Sequence, residues 1–549
     1  MRKTLLLAAV SSGALGLFQP AAFAQTTPAP AAAPAAAPAG PVSTIKPEDG
    51  FLTRLSKAYS DEMFSETSIA DPNAPPGHRA APWPPSPEPI PPMPFTEWPF
   101  GGGNPIGATT PNSVDSPLMT ALAPTSVGQW LNDNHIQIYG WINPGFNVST
   151  SNNHKGGNFP AAYAYDPNIL WLDQIAVLFE RLPDTVQKDH IDWGFRLSPL
   201  YGETYRYTTA LGFASYQLQH KNQQAGFDVP MIYGELYIPY VAEGLMIRVG
   251  RYISVPDTEA QLAPNNYMYS HSMTYAYDNY TNTGISFEIQ ATKNWMLEAA
   301  MVMGTDSALW DGGKLQIASG TTTTGAGSPY TGKWSNSDPG MVPSATACIR
   351  YQTDTADTAV YSCGNGLNSG TWGYNNLQQF TTTFYHKFND KWHITWEGWH
   401  MHENHTPNAA AYGEPNQAAG NFGNLGQILN GPFGAWCKSG TSCTSQEYAM
   451  VSYLNYTPDP LNNISFRLEF FNDMSGQRTG IKDRYLNYAV GWQHWFSPTI
   501  TFRPEIAVYN ALDRKAFNRN GQGNIGAPAV GGASAMSELI ASADVIWHF

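Results

Sequence analysis

The chain has 549 residues, of which only 13% are charged and as many as 13% aromatic, and its formal net charge is −14. That acidic balance argues against nucleic acid as a partner, because phosphate binding requires a basic face. Beyond the N-terminal region no apolar stretch approaches the ~20 residues of a membrane helix, so helical spans are excluded. Low charge with many aromatics instead suits strands that alternate between lipid and water, and it suits a secreted β-sandwich about equally well.

Arg2 and Lys3 precede an apolar run, Leu5 to Leu17, and Ala22-Phe23-Ala24 before Gln25 has the small-x-small form of a signal-peptidase site. Residues 1–24 are therefore expected as a cleaved signal peptide, and no Cys at that point suggests a lipid anchor. Residues 25–46 form a Pro/Ala-rich tract that reads as an extended linker. Residues 47–134 read as a Pro-rich periplasmic or plug-like segment with short helices. One helix is expected near 47–63, with Phe51, Leu52, Leu55 and Tyr59 on one face, and another near 116–131.

Period-2 alternation begins at His135. Ile136, Ile138, Ile142, Phe146 and Val148 fall on one parity, and Gln137, Tyr139, Asn143 and Asn147 on the other. The pattern returns around 190–202, 244–252, 465–473 and 499–509, and more weakly at 169–182 and 392–402. Short turns alternate with long Gly-, Asn- and Ser-rich connections at 149–168, 203–229, 254–281, 305–375, 403–447 and 510–536. Outer-membrane barrels alternate short periplasmic turns with long external loops in this way. The expected fold is thus an all-β, antiparallel, up-and-down transmembrane barrel of about fourteen strands, spanning 135–549. Its last strand places Val545, Trp547 and Phe549 on the lipid face, opposite Glu538 and Asp544. A C-terminal aromatic on such a strand resembles an outer-membrane assembly signal.

Four Cys pair by proximity as Cys348 with Cys363 and Cys437 with Cys443, in long polar segments where they would staple loops. Charges on polar strand faces are the candidates for lining a pore: Arg196, Glu235, Arg248, Glu288, Glu397, Arg467, Glu469, Asp473, Arg503, Glu505, Glu538 and Asp544. They read either as a transverse pattern that orients a solute or as a cross-strand ion-pair lattice. Trp141, Trp171, Trp193, Trp295, Trp392, Trp495 and Trp547 fit the lipid–water boundary, and Tyr233 and Tyr237 would suit an inward sugar-stacking track. Asp257 and Glu259 are candidates for a constriction. His400, His402 and His405, with Glu403 among them, are weak candidates for a metal site; surface histidines are the plainer reading. No cofactor is expected. No Gly-x-Ser-x-Gly elbow or phosphate-cradling loop is present, so no enzyme activity is expected.

Four stretches carry a family resemblance: Tyr139-Gly140-Trp141-Ile142-Asn143-Pro144-Gly145, Asp192-Trp193-Gly194-Phe195-Arg196, Arg248-Val249-Gly250-Arg251-Tyr252, and Arg467-Leu468-Glu469-Phe470-Phe471-Asn472-Asp473. In this order they resemble the β-barrel porin-2 (OmpL-like) family, over roughly 94–549. The resemblance implies an outer-membrane barrel with pore activity and supplies no substrate or catalytic residue. The expected function is passive diffusion of small hydrophilic solutes or ions across the outer membrane of a Gram-negative-type bacterium. The expected partners are outer-membrane lipid and those solutes, and a homo-oligomer is compatible with the sequence. Two other readings stand beside it: a closed barrel acting through external loops, and a secreted β-protein that binds or hydrolyses carbohydrate.

Overall fold

A β-strand in hydrocarbon has no water to satisfy its peptide groups, so a spanning sheet has to close on itself. In the computed structural model of the chain it does. The structure describes residues 45–64, 106–107 and 116–549, apart from 153–155, 162, 211–212, 215–216, 218–223, 255–256, 309–343, 356, 368–376, 408–434, 441, 460, 498 and 519–532. The expected signal peptide lies outside the described residues, as does most of the Pro-rich region.

The first half of the sheet comprises β1 (Gln137–Ser149), β2 (Leu170–Arg181), β3 (Asp192–Leu197), β4 (Leu200–Gly202), β5 (Gly226–Asp228), β6 (Ile232–Ile238), β7 (Leu245–Ile253), β8 (Thr281–Gln290) and β9 (Trp295–Thr305). The second half comprises β10 (Ser344–Gln352), β11 (Thr358–Leu367), β12 (Gln378–Asn389), β13 (Trp392–Pro407), β14 (Ser442–Asp459), β15 (Asn462–Asp473), β16 (Asp483–Ser497), β17 (Ile500–Asn510) and β18 (Ser537–His548). Sixteen strands form the antiparallel barrel, and the short β4 and β5 pair with each other outside it. Closure comes from β1 against β18, with Trp141 opposite His548 and Ser149 opposite Ile540.

The sixteenfold count exceeds the expected fourteen by β10 and β11, which lie inside the segment 305–375 read as one long loop. Their alternation is flat: β10 turns Ala345 and Ala347 outward, and β11 leaves Ser362 and Gly364 on its less buried face. Small and polar outer residues erase the contrast on which a period-2 reading depends. This also relocates one disulfide. Cys348 and Cys363 are directly paired across β10 and β11 with Cα atoms 4.1 Å apart, so that bond staples the wall, not a loop. Cys437–Cys443 bonds as expected, at the base of the connection between β13 and β14.

Elsewhere the parity is as read. In β15, Phe466 and Leu468 are exposed on the outer face, while Arg467, Glu469 and Asp473 are buried within. Trp193, Trp295 and Trp547 are exposed on the outside, but Trp141 and Trp495 belong to the inner parity and are buried. Trp141 there donates through Nε1 to Gln174 Oε1 at 3.0 Å, so these two are not boundary anchors.

Among the described residues three helices precede the barrel: α1 (Phe51–Phe64), α2 (Pro117–Leu122) and α3 (Ser126–Asp133). Ser116 and Thr125 cap α2 and α3 by accepting from Met119 N and Gly128 N. In α1 Arg54 and Ala58 are buried, whereas Leu52 is 76% exposed, so the face that packs is rotated from the expected one and shares with it only Leu55 and Tyr59. The reason is polar: Arg54 Nε donates to Ala121 O in the last turn of α2 at 2.7 Å, where a cation meets unsatisfied carbonyls. Tyr59 of α1 then reaches His548 O at 2.9 Å and its ring meets Trp547, which ties this region to the end of β18.

The outer face gives a direct test. Leu468 is 58% exposed in mid-strand. Leu468→Arg is expected to destabilise the lipid-embedded barrel by about 2–4 kcal/mol, measured by urea unfolding in liposomes. An unchanged stability would mean that this parity does not face lipid.

Candidate functional site

The connection between β7 and β8, residues 254–280, does not project outward. Its described residues are almost all buried, and they cross the interior to the far wall. The contacts are made by strand residues hundreds of positions away. Thr258 N donates to Glu397 Oε2 of β13 at 2.8 Å, and Ser270 N to Glu505 Oε2 of β17 at 2.9 Å. Thr274 Oγ1 donates to Glu469 Oε1 of β15 at 2.8 Å. Arg467 Nη1 donates to Ser270 O at 2.9 Å, and Arg503 Nη1 to Ala263 O at 2.7 Å and Asn266 O at 3.0 Å. Trp399 Nε1 adds a bond to Thr274 O at 3.0 Å.

Two inner-face glycines make room for this crossing. A Cβ at Gly145 of β1 would lie 2.5 Å from the Tyr269 ring, and one at Gly491 of β16 would lie 2.9 Å from Met268 Cγ. A side chain at either position would crowd these side chains of the segment.

All twelve candidate wall charges lie buried on the inner parity, in three different roles. Arg196, Glu235, Arg248, Glu288, Arg503 and Asp544 form cross-strand ion pairs. Arg196 Nε meets Glu180 Oε2 at 2.6 Å, Arg248 bridges Glu288 at 2.9 Å and Glu235 at 3.1 Å, and Arg503 meets Asp544. Charges withdrawn from water in this way are tolerated because they are paired and hydrogen-bonded. Glu397, Arg467, Glu469 and Glu505 instead grip segment 254–280, as does Arg503 with its second face. Asp473 and Glu538 organise the loop ends: Asp473 accepts from Gln477 N, Thr479 N and Thr479 Oγ1, and Glu538 from Ser149 and Ser151. A further partner, Glu180, escapes the sequence pattern because the inner face of β2 also carries the apolar Ala176 and Leu178, which flattens the contrast between its two faces.

The remaining candidates are placed as follows. Tyr233 accepts from Arg196 Nη1 at 2.9 Å and lies under Arg248, so it is part of the wall packing and not an open stacking surface. His400 and His402 share a face, but it is the outer one, with His400 stacked on Tyr448 at 4.4 Å, while Glu403 is buried on the opposite parity. The side chain of His405 lies outside the described residues. The inward segment is 254–280, which contains Asp257 and Glu259; the middle of the segment 305–375 lies outside the described residues.

Within the crossing segment, Glu259 accepts from Ser272 N at 2.8 Å and from Tyr453 OH at 2.7 Å. Burial raises its pKa from 4.5 to about 7, against the lowering influence of Arg467, Ser272 and Tyr453. A raised carboxyl pKa means that the folded state holds the proton more tightly than the unfolded chain. Its stabilising contribution is full below about 4.5 and is lost as the pH rises through about 7. In metal-free buffer the unfolding temperature is therefore expected to fall between pH 5 and pH 8, and Glu259→Gln is expected to flatten that slope. An identical slope in the variant would contradict this assignment.

Comparison with known proteins places this architecture. The profile of the family described as "Putative beta-barrel porin-2, OmpL-like" matches residues 135–549. Among solved structures, the anion-selective porin from Comamonas acidovorans is similar at 9% identity and a TM-score of 0.43, covering 75% of this chain and 99% of that one. The outer membrane channel DcaP of Acinetobacter baumannii is similar at 8% identity and a TM-score of 0.42, covering 75% and 97%. OmpT of Vibrio cholerae gives 9%, 0.38, 75% and 97%. No curated protein sequence matches the chain. With a closed antiparallel barrel among the described residues of the matched region, this chain belongs to the β-barrel porin-2, OmpL-like family of outer-membrane porins.

Proposed function

We propose that the protein lets small hydrophilic solutes or ions diffuse passively across the outer membrane, past a constriction formed by segment 254–280, with a preference for cations. The observation that carries this reading is the seating of that segment across the barrel interior on Glu397, Arg467, Glu469, Arg503 and Glu505. The segment contains Asp257, Glu259 and Asp278 and has no Lys or Arg. The formal charges that the segment brings into the interior are therefore carboxylates, while the wall arginines are engaged with partners of their own. In a confined, water-poor passage, fixed charge of one sign favours counter-ions.

A second reading has one observation in its favour. The wall charges are nearly all withdrawn from solvent among the described residues, as they would be in a barrel closed at rest that works through its external loops. Conductance separates the two. Purified protein in a planar bilayer is expected to give discrete current steps, with a reversal potential in a salt gradient on the cation side. A reversal on the anion side would contradict the selectivity, and an absence of steps would favour the closed barrel.

A further inference from the structure

Most of the wall carboxylates described above meet an arginine or a full set of donors. In one group of three, each member keeps an oxygen without a partner. Asp257 and Asp278, near the two ends of segment 254–280, and Glu397 on β13 are 3%, 1% and 0% exposed, and one oxygen of each lies within 4.8 Å of the other two. The charges acting most strongly on Asp257 are Asp278, Glu397 and Glu259, all of its own sign. Arg478 acts on Asp278, but less than the hydrogen bonds from Asp257, Asn279 and Gln379. Thr258 satisfies Glu397 Oε2 through its N–H and hydroxyl, which leaves Oε1 without a partner, as are Asp257 Oδ1 and Asp278 Oδ2. Burial of like charges at this spacing is expensive unless a proton or a cation enters among them.

A neutral group favours the cation. Gln379, wholly buried on β12, lies against Asp278, and its amide oxygen has no hydrogen-bond partner. Thr395, also wholly buried, precedes Glu397 by two positions on the same strand face, and its hydroxyl is likewise unpartnered. An amide or hydroxyl beside a carboxylate can donate to it, and through its oxygen it can serve as a ligand once a hard cation is present.

We propose that Asp257, Asp278 and Glu397, supplemented by the amide oxygen of Gln379, bind a calcium-class divalent cation that staples both ends of segment 254–280 to the barrel wall. The donors are all oxygens. This suits Ca²⁺, which takes six to eight oxygen ligands in flexible geometry, better than Mg²⁺, which gives up its own waters reluctantly. Zn²⁺ favours nitrogen and sulfur donors, which the cluster lacks.

The test uses full-length protein in detergent micelles, stripped with a chelator and titrated with CaCl₂ by calorimetry. One Ca²⁺ per chain is expected, together with a higher unfolding temperature. The Asp257→Asn/Asp278→Asn double variant is expected to bind at least about tenfold more weakly, since affinity follows the number of charged ligands, and to lose the thermal response. Should it fail to fold, Glu397→Gln serves as the second variant, with the same expectation. Asp390→Asn, at an exposed turn, is expected to bind like the wild type. Stripped wild type that takes up no Ca²⁺ at millimolar concentration would overturn the proposal, as would equal binding by the variants. Stabilisation by acid with no response to Ca²⁺ would also overturn it, assigning the cluster to a shared proton. None of these readouts involves conductance, so they stand or fall apart from the transport reading.

Discussion

Peptide groups in hydrocarbon have no water to bond, and this single constraint organises the molecule. It forces the sheet to close, and closure fixes which parity of every strand faces lipid and which faces the interior. Once Leu468, Val490, Ile506 and Val545 are turned outward, their neighbours Arg467, Glu469, Arg503, Glu505 and Asp544 have no choice but to face inward. The charged interior is a geometric consequence of an apolar exterior.

The interior then has to manage those charges, and it does so by dividing them. Arg196–Glu180 and the Arg248 bridge to Glu235 and Glu288 neutralise neighbouring strands. Glu397, Glu469 and Glu505 instead accept hydrogen bonds from the backbone or hydroxyl groups of segment 254–280, while Arg467 and Arg503 donate to its carbonyls. Acceptors and donors of both signs thus grip a single crossing segment from opposite directions. That segment would otherwise bury its own peptide groups without partners, a cost of about 1–3 kcal/mol for each unsatisfied group. Wall and segment satisfy each other, which is why a long loop can lie inside a barrel at all.

Much of this was legible in the sequence because strand parity is a local property. The alternation at 465–473 and 499–509 sufficed to place Arg467, Glu469, Arg503 and Glu505 on one face. Parity fails where its contrast is lost: in β10 and β11, whose outer faces include Ala345, Ala347, Ser362 and Gly364, and in β2, whose inner face carries the apolar Ala176 and Leu178 beside Glu180. It also says nothing of which loop folds inward. The partners of Thr258, Ser270 and Thr274 lie 139, 235 and 195 residues away, and no local pattern links them. Likewise Trp141 and Trp495 have the residue type of a boundary anchor, but their parity buries them.

The central claim is that segment 254–280, held by inner-face charges, sets the aperture of the barrel. The most direct measurement compares the single-channel conductance of the wild type with that of a chain in which 259–276 is replaced by a short Gly/Ser turn, after heat-modifiable migration has confirmed that both are folded. The account predicts discrete steps that are several-fold larger in the shortened chain, with weaker ion selectivity. Steps of unchanged size and selectivity would contradict it.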